Sequence, residues 1–498
     1  MVNPKTINLA EEQNSVPKYE IPENELNWST VRLSEIREKG SRFEASLFNI
    51  EGKHAQIAIN NTSFQKKPLV GENGFATAYH RPRFKRIWIS EPGIPIFQPS
   101  QIQEINPSPS GFISKLTDTD IDALRVKKNQ ILMSCSGTIG SVTLVSDTLN
   151  NKVFSHDLIR IQCNEFQDIG YIYAFLKTKV GQALIKTNEY GAVVQHIEPD
   201  HLKAVKLPKP GSILKHRINH LIQNSYRLRD ESNDLMKEAQ VLLKKALRLP
   251  DIEYFHRHVV KSNQAAKFLN FSVPLSDISN RLDASFHTPV VKGLEKYLQN
   301  TAKELTNIGD KRVSQDVILP GHFKRIYVQE GEGIVLIGGK NLYSLDPPDK
   351  KYLAPSHYSE KLKSNMSIDE NTIIISAKGT PGKVVIAPKH WDGWFISSNL
   401  IKIVPSSTQI AGFLYCFLSS PYGQALLKRQ IYGSVVDIIE PIHVKNISIP
   451  ILYDKLLQDK INIKTLEANR KRTEAYNLEQ KALRMINEEV IHTQKRNL

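Results

Sequence analysis

Cysteine is scarce in this chain. Cys135, Cys163 and Cys416 are the only three in 498 residues, they lie far apart, and no CxxC pair occurs. That excludes a disulfide framework and a zinc knuckle, and it fits a reducing cytoplasm. Long apolar runs are missing too. No stretch reaches the ~18 residues a membrane span needs, and no basic region followed by an apolar core opens the sequence, so a secretory leader is not expected. Complete cofactor motifs are also missing. Gly331-Glu332-Gly333 lacks the third glycine of the dinucleotide fingerprint. Gly338-Gly339-Lys340-Asn341 has neither the first P-loop glycine nor the Ser/Thr that would bind magnesium. Asp346-Pro347-Pro348 opens like the tetrapeptide of amino-methyltransferases, but Asp349 stands where an aromatic must stack on a flipped base. Pro199-Asp200 and Pro250-Asp251 lack the acidic-x-Lys continuation of a nuclease metal site, and His256 and His258 have no Cys or carboxylate cluster nearby. No catalytic residue and no metal ligand is therefore expected.

Acidic residues are outnumbered as well. Against 66 Lys and Arg stand 51 Asp and Glu, a formal net charge of +15. Such a balance favours a polyanionic partner, nucleic acid before membrane, although a basic surface with no partner has the same composition. At 40% hydrophobic residues the chain can bury a core.

What the sequence does hold, it holds twice. Ser134-Cys135-Ser136-Gly137-Thr138-Ile139-Gly140 returns as Ser376-Ala377-Lys378-Gly379-Thr380-Pro381-Gly382, Tyr171–Leu176 as Phe413–Leu418, Gly181-Gln182-Ala183-Leu184 as Gly423-Gln424-Ala425-Leu426, and Pro208 as Pro450, always 242 residues on. The period is too long for a solenoid and marks a duplicated domain. Phe84-Lys85-Arg86-Ile87-Trp88 pairs with Phe323-Lys324-Arg325-Ile326-Tyr327, Gly93–Phe97 with Gly333–Ile337, and Ile131–Ser134 with Ile373–Ser376. These short apolar runs read as buried strands, and 171–177 with 180–186 as helices. Each half is thus a mixed α/β domain. Residues 1–28 form a polar, glutamate-rich arm.

Each half ends in a heptad pattern. Leu214, Ile218, Leu221, Ser225, Leu228, Ser232, Leu235, Ala239, Leu242 and Ala246 alternate steps of four and three, with no Pro or Gly from Ile213 to Leu249. The second pattern, Leu457, Ile461, Ala468, Ala475, Leu478, Ala482 and Met485, is interrupted by Lys464 and Lys471. Neither helix is stable alone in water. The expected partner of each is the other, packed antiparallel; the alternative lays each on its own domain.

The binding candidates are cationic and polar. In His80-Arg81-Pro82-Arg83-Phe84-Lys85-Arg86, an extended strand would put Arg81, Arg83 and Lys85 on one face, suited to phosphate or guanine. A strand edge blunted by charge has the same pattern. Lys324 and Arg325 are what remains in the second copy. The loops with Gln98, Ser100 and Gln101 and with Lys340 and Asn341 differ between copies, as readers of different sequences would. The Gly137–Gly140 and Gly379–Gly382 loops, the latter preceded by Lys378, are either phosphate-binding nests or tight turns. Tyr190-Gly191 and Tyr432-Gly433 lead into Gln195-His196 and Asp437, where a polar group could approach DNA.

In the order of its pieces, with Ser155-His156-Asp157-Leu158-Ile159-Arg160 and Ser397-Ser398-Asn399-Leu400-Ile401-Lys402 added, the chain resembles the specificity subunit of type I restriction–modification systems. The resemblance spans residues 30 to 490 and rests on order, duplication and the two helices together. It implies target-recognition domains at 29–210 and 251–452, a spacer helix at 211–250 and another, with a C-terminal tail, at 453–498, the two helices forming an antiparallel coiled coil, and a cytoplasmic, phage-defence role. It further implies that each domain reads half of a bipartite site in double-stranded DNA. The seam (Leu214, Ile218, Leu221, Leu228, Leu235, Leu242, Leu457, Ile461, Leu478, Met485) would dock two modification subunits. Those would use S-adenosylmethionine, and motor–nuclease subunits ATP and Mg, with no cofactor on this chain. The alternatives are a stand-alone methyltransferase or nuclease, and a non-catalytic coiled-coil scaffold.

Overall fold

The computed structural model describes residues 30–38, 41, 43, 48–187, 196–259, 271–278 and 281–492. The glutamate-rich arm, Tyr190-Gly191 and Gln195 lie outside them. The fold is mixed α/β.

The run Ile131–Ser134 is buried at every position, and apolar over Ile131–Met133, because both faces of its strand are covered. Ile131 and Met133 point into a core with the helix Phe166–Lys177, while Leu132 points the other way, against Phe97 and Phe154. Ile373 and Ile375 against Ile374 repeat this division in the second half. The antiparallel sheet of the first half runs Ala76–Tyr79, Leu158–Cys163, Ile131–Ser134, Val142–Leu144; that of the second runs Ser314–Ile318, Leu400–Pro405, Ile373–Ser376, Val384–Ile386. A smaller sheet follows in each. Trp88–Ile89, Gly111–Ile113, Ile94–Phe97 and Val153–Phe154 correspond to Tyr327–Val328, Lys351–Leu353, Ile334–Ile337 and Phe395–Ile396, the last pair parallel in both. The Gly137–Gly140 and Gly379–Gly382 loops are tight turns. Their four glycines have φ of 71°, 80°, 82° and 93°, a region that disfavours any side chain. Ser134 and Ser376 brace them, accepting from the N–H of Ser141 at 3.1 Å and of Lys383 at 2.9 Å.

The long helices are Ser212–Ala246 and Lys455–Met485. They lie side by side and antiparallel: Arg217 meets Glu489 at 3.4 Å, Ser225 Oγ donates to the Ala475 carbonyl at 2.7 Å, and Arg472 Nε donates to Ser232 Oγ at 2.9 Å. The two seam lysines sit at the edge of the pair and bridge it, Lys471 to Glu231 at 2.8 Å and Lys464 to Glu238 at 2.6 Å. The helices also lie on the domains, so the two packings expected as alternatives coexist. A second face of the first helix is buried against the first half. Asn219 Oδ1 accepts from the Gly170 N–H at 2.9 Å, and Lys215 pairs with Asp168 at 2.6 Å. Asn462 does the same for Gly412 at 2.8 Å. A Cβ on Gly170 would stand 2.6 Å from the Asn219 backbone, and one on Gly412 would stand 2.4 Å from that of Asn462, which accounts for glycine at both. Each helix is anchored in both cores. Ile218, Ile222 and Tyr226 join that of the first half, and Met236, Ala239 and Leu243 that of the second.

Midway along the pair the halves touch. Leu228 and Ala475 pack with Ile105 and Leu345, and the Ile105 N–H donates to the Tyr343 carbonyl at 3.1 Å. Lys179 pairs with Glu330 at 2.5 Å.

Candidate nucleic-acid interface

Between Tyr79, where one strand ends, and Trp88, where the next begins, the backbone of 80–87 joins no sheet. The expected strand with Arg81, Arg83 and Lys85 on one face is therefore not formed; Phe84 packs against the cluster of Ile96 and Ile113, Arg81 and Arg86 are half-buried, and Arg83 and Lys85 stay exposed. The segment forms one wall of a cleft of about 560 Å³, which Arg81, Arg83 and Arg86 line and Lys85 does not. The other walls come from Cys135 behind the strand Ile131–Ser134, His156 and Asp157 ahead of the strand Leu158–Cys163, and His196 with Glu198.

Charges in the cleft are interleaved. Arg86 Nη2 stands 3.9 Å from Asp157 Oδ2, His156 Nε2 stands 3.2 Å from Asp157 Oδ1, and His80 Nε2 stands 2.8 Å from Glu198 Oε2. The Arg86 guanidinium lies 5.7 Å from the Phe84 ring and 5.9 Å from Trp88, within cation–π range. Burial pulls the His156 imidazole below its usual value, against the opposing pull of Asp157. Burial, reinforced by Asp157 and Glu198, pushes the Cys135 thiol up to about 12. A thiol that stays protonated is no nucleophile. Beneath the cleft Arg160 is fully buried, and burial lowers it to about 10; it donates to the Leu124 carbonyl at 3.1 Å. Lys402 occupies the matching place, on the carbonyls of Ser364 and Ser367 at 2.7 and 2.8 Å. Both lie in the runs Ser155–Arg160 and Ser397–Lys402, and the sequence signal for their bracing of a strand is a cation inside an apolar run.

Arg83, Lys85, Lys324 and Arg325 are exposed, and no hydrogen-bond or ion-pair partner holds their side chains among the described residues. The other candidates lie elsewhere. Gln101 is occupied within its own loop, accepting from the Gln98 N–H at 2.8 Å and from Ser110 Oγ at 2.6 Å. Ser100 is exposed and Gln98 half-buried. Lys340 reaches across to Thr138 of the other half at 3.5 Å, and Asn341 is half-buried beside it. These two variable loops adjoin the inter-half contact, where Glu104 bridges Ser344. Lys378 is half-buried, its backbone bridging Ile438, and Tyr432 bridges Ile438 as well.

Seam residues are covered by the chain itself. Ile218, Leu228, Ile461 and Met485 are buried, and Leu214, Leu221, Leu235, Leu242, Leu457 and Leu478 are half-buried. The apolar side chains the helices leave outside are Leu456, 82% exposed, Ile463, 64%, Ile213 and Val241. Asp346 of the partial methyltransferase motif is a structural ion-pair partner, 2.5 Å from Lys350 and accepting from Gln480 at 3.0 Å. No cluster of three metal-ligating side chains and no helix long and apolar enough to cross a membrane occurs among the described residues.

Residues 341–482 match the family model of the type I restriction modification DNA specificity domain. No curated protein matches the sequence. Solved structures similar to the chain include the S subunit of the type I restriction–modification system from M. genitalium, at 16% identity and TM-score 0.31 over 86% of this chain and 95% of that one. Another is the HsdS subunit from Thermoanaerobacter tengcongensis, at 14% and 0.26 over 82% and 94%. Residues 341–482 are thus similar to that specificity domain, and the sheets of the second half, which holds them, recur in the same strand order in the first.

Proposed function

We propose that this chain is the sequence-reading subunit of a cytoplasmic, phage-defence complex. Its two halves act as duplicated target-recognition domains, each reading one half of a bipartite site in double-stranded DNA, and the helices form the coiled coil that separates them. It docks two adenine-modification subunits, which use S-adenosylmethionine, and motor–nuclease subunits, which use ATP and magnesium, join that core; this chain itself binds no cofactor.

The observation that carries this reading is that each half presents a cationic, aromatic-flanked segment, 80–88 and 322–327, from the same pair of sheets, in two halves that share one antiparallel helix pair. Unpaired, exposed Arg83, Lys85, Lys324 and Arg325 have the character of phosphate contacts. Neutralising each one singly to Gln should weaken binding by the assembled complex equally on all sequences and lower the slope of log K against log salt by about one. Titrations over a range of salt concentrations measure this, and an unchanged slope for all four would leave them as mere surface charge.

A further inference from the structure

The cleft of the first half holds carboxylates among its arginines, and that mixture is informative. A phosphate site would be weakened by Asp157 and Glu198, both of which line the cleft. A base-pair edge is different: in the major groove guanine offers two acceptors, O6 and N7, and its cytosine partner a donor, N4. We propose that this cleft reads one G·C pair edge-on, with Arg86 donating to guanine and Asp157 both orienting Arg86 and accepting from the cytosine amino group; this rests on the DNA-recognition reading above.

Arg86 is suited to the role by its surroundings. Phe84 and Trp88 flank its guanidinium, Asp157 stands 3.9 Å away, and its Nε has no hydrogen-bond partner among the described residues. The fork is thus held without being saturated. His156 Nε2 stands 3.2 Å from the other oxygen of Asp157. Arg83 and Lys85, at and beside the rim, are free for the flanking phosphates. Among the described residues the second half has no such arrangement. Asn399 replaces Asp157, Ser398 replaces His156, and Arg325, the counterpart of Arg86, is exposed and in no ion pair among the described residues. The inference therefore applies to one half-site only.

The test uses the intact system. Methylome sequencing of cells carrying it should give a two-block motif with a G·C pair in one block. Asp157→Asn, which installs the residue of the second half, and Arg86→Lys should each relax that same pair by about tenfold or more, leaving the other block and the spacer unchanged. Replacing that guanine with 7-deazaguanine, which removes N7, should weaken the wild-type assembled complex by about tenfold, so the test survives even where a variant fails to accumulate. Relaxation at an A·T pair, a uniform loss over all sites, or full affinity for the 7-deazaguanine duplex would overturn the proposal while leaving a two-block reader in place. A wild-type methylome without a two-block motif would instead remove the DNA-recognition reading and this one with it.

Discussion

Glu479 is fully buried between the helix pair and the first half, and it meets two cations. Lys177 Nζ and Tyr173 Oη each donate to Oε1 at 2.6 Å, and Arg229 donates to Oε2. Burial on its own would raise this carboxyl; Lys177 and Arg229 outweigh it and hold it at about 2, below the ordinary 4.5. Lys177 is correspondingly raised, its own burial outweighed by Glu479. Glu479→Gln keeps the shape and strands two cations, which should cost about 3–5 kcal/mol. The sign with pH follows from the depressed carboxyl. Its contribution is complete above 4.5 and is lost as pH falls through that value towards about 2. Urea midpoints of the two proteins, well separated at neutral pH, should therefore converge on acidification. Parallel curves would show that another group controls the acid limb.

At the scale of elements, some of the fold was legible and some was not. Ile131–Ser134 and Ile373–Ser376 stood out because strands covered on both faces need unbroken apolar runs. The heptads showed which residues of the helices meet, since small residues such as Ser225 and Ser232 recur at its steps. They could not show the second buried face. Lys215, Asn219 and Asn233 look like solvent positions and are buried, because Asp168, the Gly170 N–H and the Ile105 carbonyl partner them from sequence-distant places. Of the candidate site, the cations of 80–86 were legible by charge. His156, Asp157 and Glu198 join them only through the sheet order. The same geometry changes what a docking test must alter. Leu228→Asp would place a charge between Leu345 and Ala475 and unravel the pair itself. Leu456→Asp with Ile463→Asp alters exposed side chains one heptad apart. That double variant should melt like the wild type and yet lose co-purification with the modification subunit. Full recovery of the complex would move the docking surface away from this end of the pair.

For the whole molecule, the proposed function makes the helix pair the ruler between two readers, and the mid-point contact makes shortening and lengthening that ruler unequal. A helix of 35 residues is roughly 50 Å long. Laid along B-DNA at about 3.4 Å per base pair, it limits the unread spacer to on the order of 15 base pairs. The first half grips the pair through Ile218 to Tyr226 and the second through Met236 to Leu243. Between these anchors the loops already meet, Glu104 on Ser344 and Lys340 near Thr138. Deleting a heptad from both helices between the anchors would drive these loops into one another, so such a chain is expected not to assemble. Inserting one only parts them. The lost contacts are one backbone bridge, the apolar packing of Ile105 beside Leu345 and a few polar pairs, together on the order of a few kcal/mol. Seven residues add about 10 Å, the length of about three base pairs. Methylome sequencing of cells carrying the matched insertion should therefore return both blocks unaltered, with the spacer longer by about three. An unchanged spacer would mean the loop contact, not the helix pair, sets the distance. Altered blocks would mean the readers are not independent of what separates them.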